Sequence, residues 1–117
     1  MNQVQLVGNI ARDPEFRTSQ SGVNVCSFTV ACQRRYANQQ TGQREADFIS
    51  CVAFGRTAEF IEKYFTKGNR IGVYGHIQTG SYTNKDGARV YTTDVVVDEA
   101  EFVESRSEGA GNAGSGF

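Results

Sequence analysis

Tryptophan is absent from this 117-residue chain, proline and histidine each occur once, and neither sign of charge dominates, with 12 Lys/Arg against 13 Asp/Glu. Each scarcity excludes something. The single histidine, His76, and three cysteines, Cys26, Cys32 and Cys51, show no C-x-x-C spacing and cannot supply the paired ligands of a zinc site. No Walker loop, G-x-S-x-G elbow or zinc-protease helix occurs. No metal, no cofactor and no catalytic residue is therefore expected, and the chain reads as a binder rather than an enzyme. Three cysteines cannot all pair within one chain, so reduced thiols are the simple expectation. No run approaches the roughly 20 apolar residues that span a bilayer, and Met1 leads directly into the strand-like Val4 to Val7 without an export signal. The expectation is a soluble, cytoplasmic protein with no membrane partner.

The net charge of -1 conceals an asymmetry. Met1 to Val97 holds 11 Lys/Arg against 8 Asp/Glu, whereas Asp98 to Phe117 holds 5 acids and only Arg106. A mildly basic body thus precedes an acidic end. The length suits one domain with one modest core.

Period-two alternation is the main structural signal. Cys26, Phe28, Val30 and Cys32 alternate with Ser27, Thr29, Ala31 and Gln33, the pattern of a half-buried strand. Val25 beside Val23 breaks that register and predicts a bulge. In Asp47 to Phe54, Ile49, Cys51 and Ala53 share one face while Phe48, Ser50, Val52 and Phe54 share the other. Both faces carry apolar groups, so one is free for use. Gln3 to Ile10, Arg70 to Gln78 (Ile71, Val73, Gly75 and Ile77 on one side) and Val90 to Val97 bring the strands to five. Asn38 to Gly42 and Asn84 to Gly87 read as hairpin tips. One helix is predicted between the third and fourth strands, capped at Thr57, closed by Gly68, and carrying Ala58, Ile61 and Phe65 on its apolar stripe.

The order β-β-β-α-β-β is that of the five-stranded Greek-key OB barrel, an all-β fold with one helix that serves several kinds of binder. The domain is expected over 1–103. Residues 104–117, rich in Ser, Glu and Gly, lack the apolar groups to order themselves and read as a flexible tail.

A general binder of unpaired nucleic acid needs exposed rings for the bases and Lys/Arg for the backbone. Tyr36 follows Arg34 and Arg35 at a strand end, Phe48 and Phe54 share a strand face with Arg56 just beyond, and Tyr82 precedes the Lys85 turn. Phe28, Tyr64, Phe65, Phe60 and Phe102 read as core or helix-packing residues. Each ring alone also fits a core, and the hairpin charges also fit a solvated surface.

Leu6-Val-Gly-Asn-Ile10, Asp13-Pro-Glu-Phe-Arg17, Thr41-Gly-Gln-Arg-Glu-Ala-Asp-Phe48, Phe54-Gly-Arg56, Lys67-Gly-Asn69 and Tyr91-Thr-Thr-Asp-Val95 resemble, in order, the bacterial single-stranded DNA-binding protein family. The resemblance runs from Met1 to Val103. It implies a homotetramer of OB folds that wraps single-stranded DNA in replication, recombination and repair, and a nucleoid-associated place in the cell. It puts the family's stacking positions on Tyr36, Phe48, Phe54 and Tyr82, and its basic contacts on Arg17, Arg56 and Lys67; Arg34, Arg35 and Lys85 are added from local context.

The chain departs from the well-studied enterobacterial pattern in lacking stacking tryptophans and in placing Gly80 and Ser81 where basic residues stand. It also ends Ser115-Gly-Phe117 rather than in an acidic Pro-Phe tip that recruits replication and repair enzymes. A truncated form and a short paralogue with reduced recruitment both fit that ending. An OB module that binds proteins rather than DNA is the alternative reading, and a nucleotide-processing enzyme the third.

Overall fold

The alternation of Cys26, Phe28 and Val30 becomes the inward face of a long strand in the computed structural model, which describes residues 1–103; the tail expected over 104–117 lies outside the described residues. The elements are β1 (Val4–Ile10), β2 (Glu15–Thr18), β3 (Asn24–Ala37), β4 (Arg44–Phe54), α1 (Gly55–Tyr64), β5 (Arg70–Thr83) and β6 (Arg89–Phe102). The five expected strands and the helix are present, and β2 is an addition. Its four residues are all exposed and carry no inward-facing pattern, so it holds to β3 by backbone pairing of Glu15 to Thr18 against Ser27 to Asn24.

The sheet runs β1-β5-β6-β4-β3-β2 and is closed by β1 against β3 at Asn9↔Ala31 and Ile10↔Val30. Five strands thus form a closed barrel, with β2 lying outside the ring. All pairings are antiparallel except β4 with β6, where Cys51, Val52 and Ala53 face Val95, Val96 and Val97 in parallel. The helical connection through α1 lets the chain return for that parallel pairing. This is the OB arrangement that the element order predicts.

Ile10, Phe28, Val30, Ile71 and Val73 fill the barrel, and α1 closes one end with Ala58, Ile61 and Phe65, the predicted stripe, all buried. Gly75 belongs to this core because β6 passes close: a Cβ there would stand on the Val96 carbonyl. Close packing of backbones is thus found at Gly75, while a Cβ on Gly72 would meet only the Val103 and Glu101 side chains at 3.1 and 3.2 Å.

Three local expectations are corrected. The helix begins at Gly55, whose φ of 62° turns the chain out of β4, and no side chain caps it, so Thr57 lies inside the first turn. It ends at Tyr64; Gly68, with φ 94°, shapes the following turn and donates its N–H to the Ile10 carbonyl. Val25 pairs regularly with Phe54, and the irregularity of the β3–β4 ladder lies instead between Gln33 and Ala37. Ile77 keeps the inward facing of Val73 and Gly75 but is exposed rather than core, because it stands at the rim where the barrel ends.

The hairpin tips stand where predicted. Asn38 accepts backbone N–H bonds from Gln40 and Thr41, and Asn84 from Asp86 and Ala88, while Gly42 and Gly87 take the positive φ each tip requires. These hairpins, β3–β4 and β5–β6, extend beyond the barrel as two ribbons.

Candidate nucleic-acid interface

Because residues directly opposed in a ladder point the same way, the two faces of β4 separate cleanly. Cys51 and Ala53 are buried, and Ile49 packs against the core. Phe48, Ser50, Val52 and Phe54 line the outer face, with Phe48 68% and Phe54 47% exposed. Six residues of extended chain put the two rings about 20 Å apart along the strand. Rings of this size gain nothing for the fold by standing in water, so this face is available to a partner.

Between the two rings lies a groove of about 420 Å³. Ser50 and Val52 of β4, Ser27 and Thr29 of β3, and Arg12 and Arg17 line it, with Asp94 of β6. Hydroxyls, two guanidinium groups and the carboxylates of Asp13, Glu15 and Asp94 thus sit between two exposed aromatic rings. Arg17 was expected in such a site. Arg12 was not; it stands in a bend before β2, and only the pairing of β2 onto β3 turns that segment over the outer face.

Lys67 is held nearby by its main chain. Its N–H donates to Asp13 Oδ1 at 2.8 Å, so the Asp13-Pro14 turn and the Lys67-Gly68-Asn69 turn are fastened together. Asn69 adds to this by accepting from the Thr66 N–H at 2.7 Å. The Lys67 side chain stays exposed, as does Arg56 in the first turn of α1, directly after Phe54. The helix N-terminus there adds partial positive charge.

Tyr82 joins the same outer face from the second ribbon. Tyr82↔Val90, Gly80↔Thr92 and Gln78↔Asp94 all lie opposite in sense to the buried Val95 and Val97. Lys85 lies in the turn two residues beyond Thr83. Tyr36 is 78% exposed but sits in the irregular stretch of β3, where two more residues lie on β3 than on β4 between successive pairs. It is therefore placed at the end of the ribbon, next to Arg35, and apart from the Phe48–Phe54 groove.

Arg34 differs from the rest. Cys32↔Asp47 continues the inward-facing register, so Asp47 and Arg34 lie on the face opposite Phe48. Arg34 Nη2 donates to Asp47 Oδ1 at 2.8 Å and Nη1 reaches Glu45 at 3.3 Å. The Arg34 hydrogen bond holds the Asp47 carboxyl below its ordinary range and Asp47 raises the Arg34 guanidinium in turn.

Of the aromatics assigned to packing, Phe28 and Phe65 are buried, and Phe60, Tyr64 and Phe102 form with Phe65 one cluster of tilted, edge-on and stacked rings. Tyr64 and Phe102 nevertheless keep about half their surface in water, at 50% and 58%. Among the described residues no group of three His, Cys, Asp or Glu converges as metal ligands, and no helix is long and apolar enough to cross a membrane. His76 meets only Asp98, at 3.2 Å.

Comparison with known proteins agrees with this geometry. The model of the single-strand binding protein family matches residues 1–103. A Staphylococcus aureus protein described as single-stranded DNA-binding protein 1 is 51% identical over 107 residues, which cover 92% of this chain and 68% of the relative. A Clostridium perfringens single-stranded DNA-binding protein is 49% identical over 118 residues, covering 99% of this chain and 75% of the relative.

Proposed function

The chain belongs to the single-strand binding protein family, and from that premise we propose that it binds single-stranded DNA without sequence preference along the outer face of its barrel, as a non-catalytic protector of unpaired strands in replication, recombination and repair. One observation carries the site: Phe48 and Phe54 stand exposed at either end of a groove in which Arg12 and Arg17 lie among hydroxyls and the carboxylates of Asp13, Glu15 and Asp94. Bases stack on rings irrespective of their identity, and guanidinium groups neutralise phosphates irrespective of sequence. Tyr82 continues the ring path along the second ribbon, with Lys85 in the turn at its tip, while Arg56 follows Phe54 and Lys67 stands at the turn fastened to Asp13. Tyr36 and Arg35 take the strand onto the first ribbon, where Arg34 joins once released from Asp47. No bond is made or broken, so neither cofactor nor metal enters.

Residues 1–103 act as the binding domain within a homotetramer. Val4 to Gly8 pair with β5 on one side only, and such a free edge is satisfied when a second copy covers it. The protein acts in the cytoplasm, on the nucleoid; recruitment of replication and repair enzymes depends on residues beyond 103.

Fluorescence anisotropy of a labelled oligothymidylate, with unlabelled duplex as competitor, tests the reading. Binding that survives a large excess of duplex is expected. A chain that binds neither form is instead a protein-interaction module.

A further inference from the structure

Beyond Ile77 the inward face of the β5–β6 ladder leaves the barrel and becomes a surface. Val73, Gly75, Val95 and Val97 are buried on that face, and Ile77 marks the rim at 43% exposure. Past the rim the same face carries the pairs Thr79↔Thr93, Ser81↔Tyr91 and Thr83↔Arg89, every one exposed. Three pairs of residues therefore present four hydroxyl-bearing threonines and serine, one phenol ring, one guanidinium and no carboxylate. The opposite face of the ribbon, which bears Tyr82, includes Asp94.

Tyr91 is the notable member. It is 76% exposed, and among the described residues its ring packs on no other aromatic and its hydroxyl makes no hydrogen bond. Tyr74, by contrast, hydrogen-bonds Glu101 at 3.2 Å. An unpartnered ring beside a guanidinium and hydroxyl donors, with no acid on its face, matches a flat base followed by a phosphate. Tyr82 and Tyr91 are also near neighbours: Tyr91 pairs with Ser81, one residue from Tyr82, so the two rings stand back to back across the ribbon.

We propose that this inner face is a second contact surface for single-stranded nucleic acid, with Tyr91 as its stacking platform and Arg89 as its phosphate partner. A strand leaving Tyr82 passes around the ribbon and is held on both of its sides. The proposal rests on the binding function argued above and adds to it a surface separate from the Phe48–Phe54 groove.

The absence of tryptophan supplies the measurement, since the five tyrosines provide the ultraviolet fluorescence and a stacked base quenches the ring beneath it. Full-length wild type, Tyr82→Ala, Tyr91→Ala and Tyr91→Phe are titrated with oligothymidylate, alongside melting temperature and molar mass by light scattering. Tyr91→Ala is expected to weaken binding by more than threefold, since loss of one stacked base is worth roughly 5- to 150-fold. Tyr91→Phe keeps affinity within twofold, because stacking needs the ring and not the hydroxyl, but shows a smaller drop in tyrosine emission on binding.

Affinity within threefold of wild type for Tyr91→Ala, while Tyr82→Ala is weakened, overturns the second surface and leaves the first standing. A changed molar mass for Tyr91→Ala with unchanged affinity assigns the ring to a contact between copies, which also overturns it. Should Tyr91→Ala fail to fold, undiminished quenching in Tyr91→Phe is the overturning result. A wild-type chain that ignores the probe removes the binding function and this surface together.

Discussion

Arg34 and Asp47 are joined across the β3–β4 ribbon by a two-pronged contact, with Nη2 2.8 Å from Oδ1 and Nε 3.1 Å from both carboxylate oxygens. The pair lies on the face opposite Phe48, so the Arg34 charge is already engaged before any phosphate arrives. Asp47→Asn is expected to release it, raising affinity for oligothymidylate at low salt and steepening the salt dependence by about 0.7 in log-log slope, the value of one added phosphate contact. Arg34→Ala in the wild-type background changes the slope less than Arg56→Ala does. Equal slopes for wild type and Asp47→Asn would show that Arg34 takes no part.

The same pair sets a pH dependence. The Arg34 hydrogen bond lowers the Asp47 carboxyl from its ordinary 3.8, so its contribution to stability is complete above that value and lost as pH falls through the lowered one. Both groups are exposed, and the effect is small. Melting curves of wild type and Asp47→Asn should therefore differ slightly at pH 5 and converge as pH falls well below 3.8.

Exposed and buried rings respond in opposite ways to truncation. Phe28, 5% exposed, is expected to cost about 3–5 kcal/mol of stability on replacement by Ala, through lost burial and a cavity. Phe48→Ala and Tyr82→Ala leave the melting temperature nearly unchanged and weaken single-strand binding by about 1–3 kcal/mol each. Chemical denaturation together with anisotropy separates the two classes, and a Phe48→Ala protein that melts early but binds normally would place that ring in the core.

Much of this was legible in the sequence because alternation reports facing directly. Phe28 inward follows from parity within its strand, and the helix stripe of Ala58, Ile61 and Phe65 from a spacing of three and four; for Phe48 parity gave only that it faces away from Cys51 and Ala53, with both faces apolar. What parity cannot carry is where the barrel ends and how strands pair. Ile77 shares its spacing and its face with Ile71 and Val73 yet is exposed, since it stands at the rim of the barrel. Arg34 looks in sequence like Arg35, and only the register with β4 reveals its carboxylate partners. Arg12 was missed for a similar reason, because β2 has no patterned face to announce that it folds back.

Close backbone approach gives a contrast between two glycines of one strand. Gly75→Ala is expected to destabilise by roughly 1–3 kcal/mol or more, since its Cβ would stand on the Val96 carbonyl of a paired strand. Gly80→Ala, whose Cβ would meet only Thr92 Oγ1 at 3.2 Å, costs far less. Urea melts of the two variants make the comparison, with similar midpoints counting against the packing role of Gly75.

Thiol chemistry should follow burial. Desolvation, with smaller help from Cys32 and Asp94, pushes the Cys51 thiol up to about 12 from 9.0, and burial raises Cys26 to about 11. A disulfide reagent at pH 8 is expected to titrate the half-buried Cys32 first and the other two only after urea is added. Rapid reaction of all three thiols in the folded protein would contradict the closed barrel. Since the unfolded chain releases these protons near pH 9 and the native one does not, stability declines as pH rises from 9 toward 12.

The strand that begins the chain finds its partners late. Val4 pairs with Gly75 and Asn9 with Arg70, while the link back to β3 is short, at Asn9, Ile10 and the following Ala11. During synthesis the first strand must therefore wait until β5 has emerged, and the β3–β4 hairpin, whose pairing is local, has a long interval in which to form alone. Folding through pairings of such separation is slow, on the order of milliseconds to seconds for sheet proteins. The topology thus lets the ribbon bearing Phe48 take shape from local pairing, while the barrel seam needs both ends of the domain at hand.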